Sequence, residues 1–524
     1  VKQVGITDNF FELGGNSLKV TQVVNKIIKE TNKSISFKDF FSNPTIQSVK
    51  SKLVSKNYLD IPSAPKADSY PLSPSQNRLW LLSQLEQGSL AYNMPVALTI
   101  KGQIDFSVFE NSFRKLINRH EILRTYFKTN KEGELRQYIV PAGGVEFKIN
   151  YVDFTNKGKS ESSIEEYIQN LNNQEFNFEQ APLLRASLIK LTENEHVFFF
   201  SRHHIISDGW SSAIISNEII QGYNILIKGE EFTLPEFKIQ YKDYAVWLRE
   251  ELNLERNLNS EKFWMNQFSG EIPALDLIIS KPRPLLKTNN GKTLTITYSE
   301  DFLSQLKQYS LNNNVTLFMT LMSAIKVLLH KYSGQNDIII GTPIAGREHP
   351  ELENQMGLYM NMLAIRTQVE EKSSFSDLLQ KEKQTLLEAY EHQNYQFDQL
   401  IGKLNLKRDV TRSALFDVVI ILQNHHQLET FSSSQTLNAL EVADFEFERK
   451  TSQFDISFQF VEREGLTLSV DYNTDIYQGA DIERLMHHFS ALMESVFLDP
   501  SVKIENINYL IAEERQELLF DFNA

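Results

Sequence analysis

A chain of 524 residues is too long to close around one hydrophobic core, so its length predicts two or three domains. With 67 acidic against 53 basic side chains the formal net charge is −14, which argues against nucleic acid as the main partner. The absence of cysteine excludes disulfides, thiolate zinc sites and a cysteine nucleophile, and no apolar run reaches the ~18 residues that span a bilayer. No signal peptide opens the sequence, although it begins in mid-motif, and the expectation is a cytoplasmic protein with neither nucleic acid nor membrane as partner.

Residues 1 to 54 read as a small unit. The stretch DNFFELGGNSL, Asp8 to Leu18, runs from an aromatic anchor through a glycine turn into a helix whose apolar positions are Val20, Val23, Val24, Ile27 and Ile28. Ser17 stands at the mouth of that helix, where a serine ordinarily serves as a cap or first-turn residue. Residues 55 to 68 turn to Ser, Pro, Lys and Ala without periodicity and read as a linker.

From Ser69 strand-like and helix-like segments alternate, which predicts an α/β arrangement. Helices are expected at Val108 to His120, Ser163 to Asn172 and Trp210 to Ile227, and strands near Leu123 to Thr129, Leu184 to Leu191 and Val197 to Ile205. One very long helical stretch is expected from about Gln240 to Phe268. The second half places helices at Val315 to Tyr332, Phe375 to Glu391 and Ile482 to Phe497. Its strands fall near Asp337 to Ile340, Met362 to Val369, Phe416 to Leu422, Phe454 to Val461 and Leu466 to Tyr472.

The chemistry concentrates in HVFFFSRHHIISDGWSS, which begins at His196. Val197 to Phe200 have the composition of a buried strand, and neighbours in a strand point to opposite faces, so His203 and His204 cannot both face the same cavity and one is expected to be structural. Asp208-Gly209 supplies turn chemistry, and Trp210 opens a helical segment. Two other adjacent pairs are internal controls: His425-His426 in a Gln/Asn-rich loop and His487-His488 in an amphipathic helix. Neither is followed by an Asp-Gly turn.

HHIISDGW resembles the HHxxxDG signature of the condensation domains of nonribosomal peptide synthetases, a branch of the chloramphenicol-acetyltransferase-like acyltransferases. Further stretches resemble that family's other motifs in order: Leu72 to Trp80, Arg119 to Thr125, Tyr241 to Trp247, Met356 to Asn361, Gln393 to Asp398 and Arg408 to Arg412. The first stretch, DNFFELGGNSL, resembles the DxFFxLGGxSL motif of peptidyl carrier (thiolation) domains, with Asn16 where that family more often has Asp or His.

The resemblance implies an α/β (α+β) two-lobed condensation domain behind a small all-α carrier bundle. It gives a carrier at residues 1–54 lacking its usual first helix, a linker at 55–68, and lobes at 69–236 and 237–524. It implies 4′-phosphopantetheine joined covalently to Ser17, no metal, and attack of an acceptor amine on a carrier-bound thioester in a tunnel between the lobes.

His204 is expected to face that tunnel, Gly209 to offer its amide to the oxyanion, and His203 to be structural. Asp208 is expected to form a structural ion pair with Arg124, while Arg78, Tyr241, Trp247 and Arg412 pack or pair at the lobe interface. Expected partners are a phosphopantetheinyl transferase, an adenylation domain and an external acceptor carrier, since Glu513 to Ala524 resemble the run-in to an adenylation domain. Epimerisation of the bound thioester, ester formation and a non-catalytic docking role are the alternatives.

Overall fold

The structure is a computed structural model and describes residues 3–15, 17–55, 60–84, 88–155, 161–252, 254–407, 409–423, 437 and 440–519. The pair His425-His426 and Arg408 lie outside the described residues.

The N-terminal unit is built on the helix Ser17–Thr31, followed by the short helices Phe37–Ser42 and Ile46–Lys52. Ser36 and Thr45 cap those short helices, each accepting a backbone N–H three residues on. Val20, Val24 and Ile28 recur at helical spacing and turn one face inward, where they join Phe40, Phe41 and Val49. So little surface makes a meagre core. It is extended by the larger body, because these residues belong to the same apolar cluster as the second lobe, with the Phe41 ring 6.2 Å from that of Tyr390.

The first lobe carries a five-stranded sheet in the order Glu441–Asp444, Asn93–Lys101, Glu195–His203, Leu184–Thr192, Asn150–Asp153. The pairs are antiparallel except the last. Phe198 and Phe200 point to one face and meet Phe109 and Phe113 of the helix Phe106–Arg119 at 5.0 and 5.5 Å. The helix Gly209–Leu226 packs beside it. Residues 441–444 come from the far end of the chain, so the first lobe's sheet is not made from residues 69–236 alone.

The second lobe carries a six-stranded mixed sheet in the order Gly291–Tyr298, Leu466–Asn473, Ile456–Glu462, Val418–Gln423, Asp337–Ile344, Asn361–Gln368. The helices Leu317–Ser333, Phe375–Glu391 and Gly479–Leu498 share its core. Leu317–Ser333 is buried all round, from Phe318 to His330. No single helix among the described residues is long and apolar enough to cross a membrane.

Three differences from the expected elements have a local cause. The long helix is two, Tyr241–Glu251 and Glu255–Gln267, because Leu254 takes an extended conformation (φ −82°, ψ 150°) and restarts the winding. The strand expected from Leu123 begins at Thr125, since Glu121–Arg124 wind as a single 3₁₀ turn. The strand expected to reach Ile205 stops at His203, whose Nδ1 accepts the Ile205 N–H at 3.1 Å and tips the chain into a 3₁₀ turn, His204–Ile206. His203 and His204 therefore diverge because the strand ends between them, and not by strand alternation.

Candidate active site

His203 is the last rung of its strand, paired with Asn93, and is wholly buried. The rings of Phe178, Phe176 and Tyr92 lie 4.7, 6.3 and 6.5 Å away. Burial lowers its pKa to about 3, so it is a neutral, structural imidazole with its proton on Nε2. His204 is only partly enclosed. Burial lowers its pKa too, opposed by the Asp208 charge, and its Nδ1 is enclosed with no hydrogen-bond partner among the described residues.

Asp208 ends the turn and caps the helix Gly209–Leu226. Its Oδ1 accepts the Ser211 N–H at 2.8 Å and the Ser211 hydroxyl at 2.7 Å, and its Oδ2 accepts the Tyr359 N–H at 3.1 Å. Arg347 Nη2 donates to both oxygens at 3.0 and 3.2 Å. Every acceptor position faces these donors, so the carboxylate holds no hydrogen bond to His204.

Arg347 corrects the expected pairing. Arg124 ends the 3₁₀ turn before its own hairpin, donates to the Val140 carbonyl and lies 3.8 Å from Glu121, whereas Asp208 pairs with Arg347 across the lobe boundary. Arg347 is fully buried, and its Nη1 donates to the carbonyls of Leu352 and Gln355 at 2.6 and 2.5 Å. Its guanidinium also lies over the Tyr359 ring, 4.2 Å from the centroid. Gly346 makes the turn possible: its φ is +63°, and a Cβ there would sit 2.0 Å from the Tyr359 carbonyl oxygen. Sequence reasoning passed over Arg347 because nothing local ties a Gly-Arg after a strand to an aspartate 139 positions earlier. Arg202 is a second buried cation beside the pair, donating to Ser207 Oγ at 2.8 Å, with its pKa lowered to about 10 by burial.

The other motif residues pair at the seam between lobes or within the second lobe. Ser73 Oγ donates to Tyr241 Oη at 2.9 Å, and Tyr241 Oη donates to the Leu358 carbonyl at 2.8 Å. Gln76 Nε2 donates to the Ile205 carbonyl at 3.3 Å, and Arg78 lies 3.3 Å from Asp398. Arg412 pairs with Asp417 at 2.9 Å, and Trp247 packs beside Tyr244 and His349.

A cleft of about 430 Å³ opens along this seam, a size within the ~300–1,000 Å³ of small-molecule sites. Asp208, Gly209 and Trp210 form one wall and Gly346 and Arg347 another, while Phe11, Gly14 and Gly15 of the N-terminal unit edge its mouth. Gly209 is exposed to it, and a Cβ there would meet nothing within 4 Å. His204 stands one 3₁₀ turn behind Asp208 and is not part of this wall.

Ser17 opens its helix two residues beyond Gly15. Gly14 has φ +86°, and a Cβ on Gly15 would fall 2.2 Å from the Phe10 ring, so this glycine pair lets the chain double back against its aromatic anchor just before the helix. The open wall and the helix N-terminus at the mouth fit an anionic, extended prosthetic arm.

Two lobes of mixed strand and helix meet at a seam, with a histidine pair and a buried Asp–Arg pair beside a cleft. The family model described as condensation domain matches residues 66–519, and that described as phosphopantetheine attachment site matches residues 1–52. The chain belongs to the condensation-domain family of nonribosomal peptide synthetases, and a phosphopantetheine-attachment (carrier) domain precedes that domain in it.

It is 38% identical over 528 residues to bacitracin synthase 1 of Bacillus licheniformis, covering 100% of this chain and 10% of that protein. It is 37% identical to tyrocidine synthase 3 of Brevibacillus parabrevis, covering 100% of this chain and 8% of the relative. The chain thus spans about a tenth of the length of the curated relatives it matches. Among solved structures, the X-domain from teicoplanin biosynthesis superposes with TM-score 0.78 at 21% identity, covering 86% of this chain and 100% of that one. A four-domain nonribosomal peptide synthetase bound to AMP and glycine superposes with TM-score 0.75 at 22% identity, covering 88% of this chain and 35% of that one.

Proposed function

We propose that this chain forms peptide bonds in nonribosomal peptide synthesis, by attack of an acceptor amine on an acyl or peptidyl thioester carried at Ser17. The observation that carries the reading is the cleft, which is lined both by the glycine turn before Ser17 and by Asp208 and Gly209 at the seam. Residues 1–54 act as carrier, 55–68 as linker, and 69–236 and 237–524 as the two parts of the catalyst.

When bound, 4′-phosphopantetheine supplies an acyl thioester on a flexible tether. The walls of the cleft hold the two reactants in register, and positioning of that kind supplies roughly 7–11 kcal/mol of a barrier. Gly209 N–H, at the open end of its helix, faces negative charge as it develops on the carbonyl oxygen. His204 stands behind this wall rather than in it; we assign it the acceptor side, where, neutral at pH 7, it orients the attacking amine and takes part of its proton as the C–N bond forms, while the C–S bond breaks and the proton ends on the departing thiol.

An α-amine with pKa ≈ 7.7–8 is already partly neutral at that pH. Among the described residues no carboxylate is bonded to His204, so proton abstraction is the smaller share of its work. The proposed partners are an adenylation domain that loads the donor, an external acceptor carrier and a phosphopantetheinyl transferase, in the reducing cytoplasm suited to a cysteine-free chain.

The test is single-turnover transfer from chemically loaded Ser17 to a defined acceptor, read by mass spectrometry. The expected product is the amide with retained donor configuration, and H204A should slow it by about 10² or less, the low end of base catalysis. Inversion of the donor without any acceptor would establish epimerisation instead, and wild-type transfer by H204A would overturn the role of His204.

A further inference from the structure

The carrier touches the catalytic body at the loop that supports its active site. Asn25 lies on the helix Ser17–Thr31 and is fully buried, although it is polar and packs outside the carrier's own apolar face. Its Nδ2 donates to the backbone carbonyl of Arg347 at 3.0 Å. One turn further along the same helix, Lys29 Nζ reaches Glu353 Oε2 at 2.9 Å.

The segment between these two contacts, Arg347 to Glu353, has a second face. Through its guanidinium Arg347 holds Asp208, and through its backbone carbonyl Glu353 accepts the Trp210 Nε1–H at 2.9 Å. Asp208 and Trp210 flank Gly209. The carrier and the catalytic turn are therefore bound to one and the same loop.

We propose that the docked carrier is a positioning element of the active site as well as the bearer of cargo: Asn25 and Lys29 pin the Arg347–Glu353 loop, and the loop pins Asp208 and Trp210 on either side of Gly209. Departure of the carrier removes a bond from the Arg347 carbonyl and a charge partner from Glu353, and the loop loosens. The catalyst is then at its best only while a donor is in place. This deepens the peptide-bond-forming reading and rests on it.

The experiment uses the full chain and the variants N25A, K29E, E353K and K29E/E353K. Transfer to one acceptor amine is measured from two donors, an acyl group on Ser17 and the same acyl group on a soluble N-acetylcysteamine thioester given to the apo chain. Hydrogen exchange of residues 205–213 and 345–359 is followed in parallel.

N25A, K29E and E353K should each slow both donors, N25A by up to about tenfold, the weight of one hydrogen bond. Each should speed exchange in both segments, and the charge swap should restore rate and protection. Slowing of the Ser17-borne donor alone would overturn the proposal and leave a docking contact only. Unchanged rates and unchanged exchange would overturn it outright. Should N25A not fold, E353K and its swap decide the question. Should the unaltered chain transfer from neither donor, the peptide-bond reading fails, while the exchange measurement still decides whether the carrier braces the loop.

Discussion

Asp208 is held by two backbone amides, a hydroxyl and a guanidinium in the interior, so D208A would leave the Arg347 charge buried without its counter-ion. The expected loss is about 3–5 kcal/mol of unfolding free energy, read by equilibrium denaturation; a wild-type melt would contradict it. Arg124 is the control, since R124A removes a bond to the Val140 carbonyl and leaves Asp208 untouched, so transfer should continue at the wild-type rate. Gly209 offers the opposite case. G209A has room for its methyl, so stability should stay within about 0.5 kcal/mol of wild type while transfer falls, because the methyl projects into the space the acyl group needs.

His203 sets a pH dependence. Its folded pKa, about 3, lies below the ordinary 6.5, so the unfolded chain binds the proton more tightly. The stability this contributes is fully present above pH 6.5 and is lost as pH falls toward 3, with a slope of up to ~1.4 kcal/mol per pH unit. Denaturation midpoints across that range should show the slope, and H203N, which cannot titrate, should flatten it. At this scale the histidine pair, the Asp-Gly turn and the glycine pair before Ser17 were legible, because each acts on its immediate neighbours. Arg347 was not: choosing it over Arg124 needs the fold that brings residue 347 to residue 208.

Among the helices and strands, periodicity gave type more faithfully than extent. The apolar spacing from Gln240 to Phe268 is helical throughout, yet one extended residue at Leu254 divides it, and spacing carries no record of a single dihedral change. Nor did it reveal the ion pair between two core helices, Lys326 and Glu382, both fully buried and 2.9 Å apart, with Thr367 Oγ1 2.8 Å from the carboxylate. K326M strands the Glu382 charge and should cost about 3–5 kcal/mol, whereas K326M/E382L should recover most of that loss. A double-mutant cycle on unfolding free energies measures the coupling, and additive losses would contradict it.

For the molecule as a whole, alternation of strand and helix implied an α/β body, and the order of the motifs implied two lobes and a carrier. The sharing between these parts lay outside that reading. The carrier completes its apolar core with residues of the second lobe, and the edge of the first lobe's sheet is the strand Glu441–Asp444, too short and too exposed to show an alternating pattern. That strand has a bearing on how such proteins are recombined. A chimera taking its front half from one synthetase and its back half from another would have its front sheet hemmed by a borrowed selvage, paired at Thr99 and Ile100 with residues that had never co-evolved with it. A splice meant to keep each half native must hand that short strip back to its original owner.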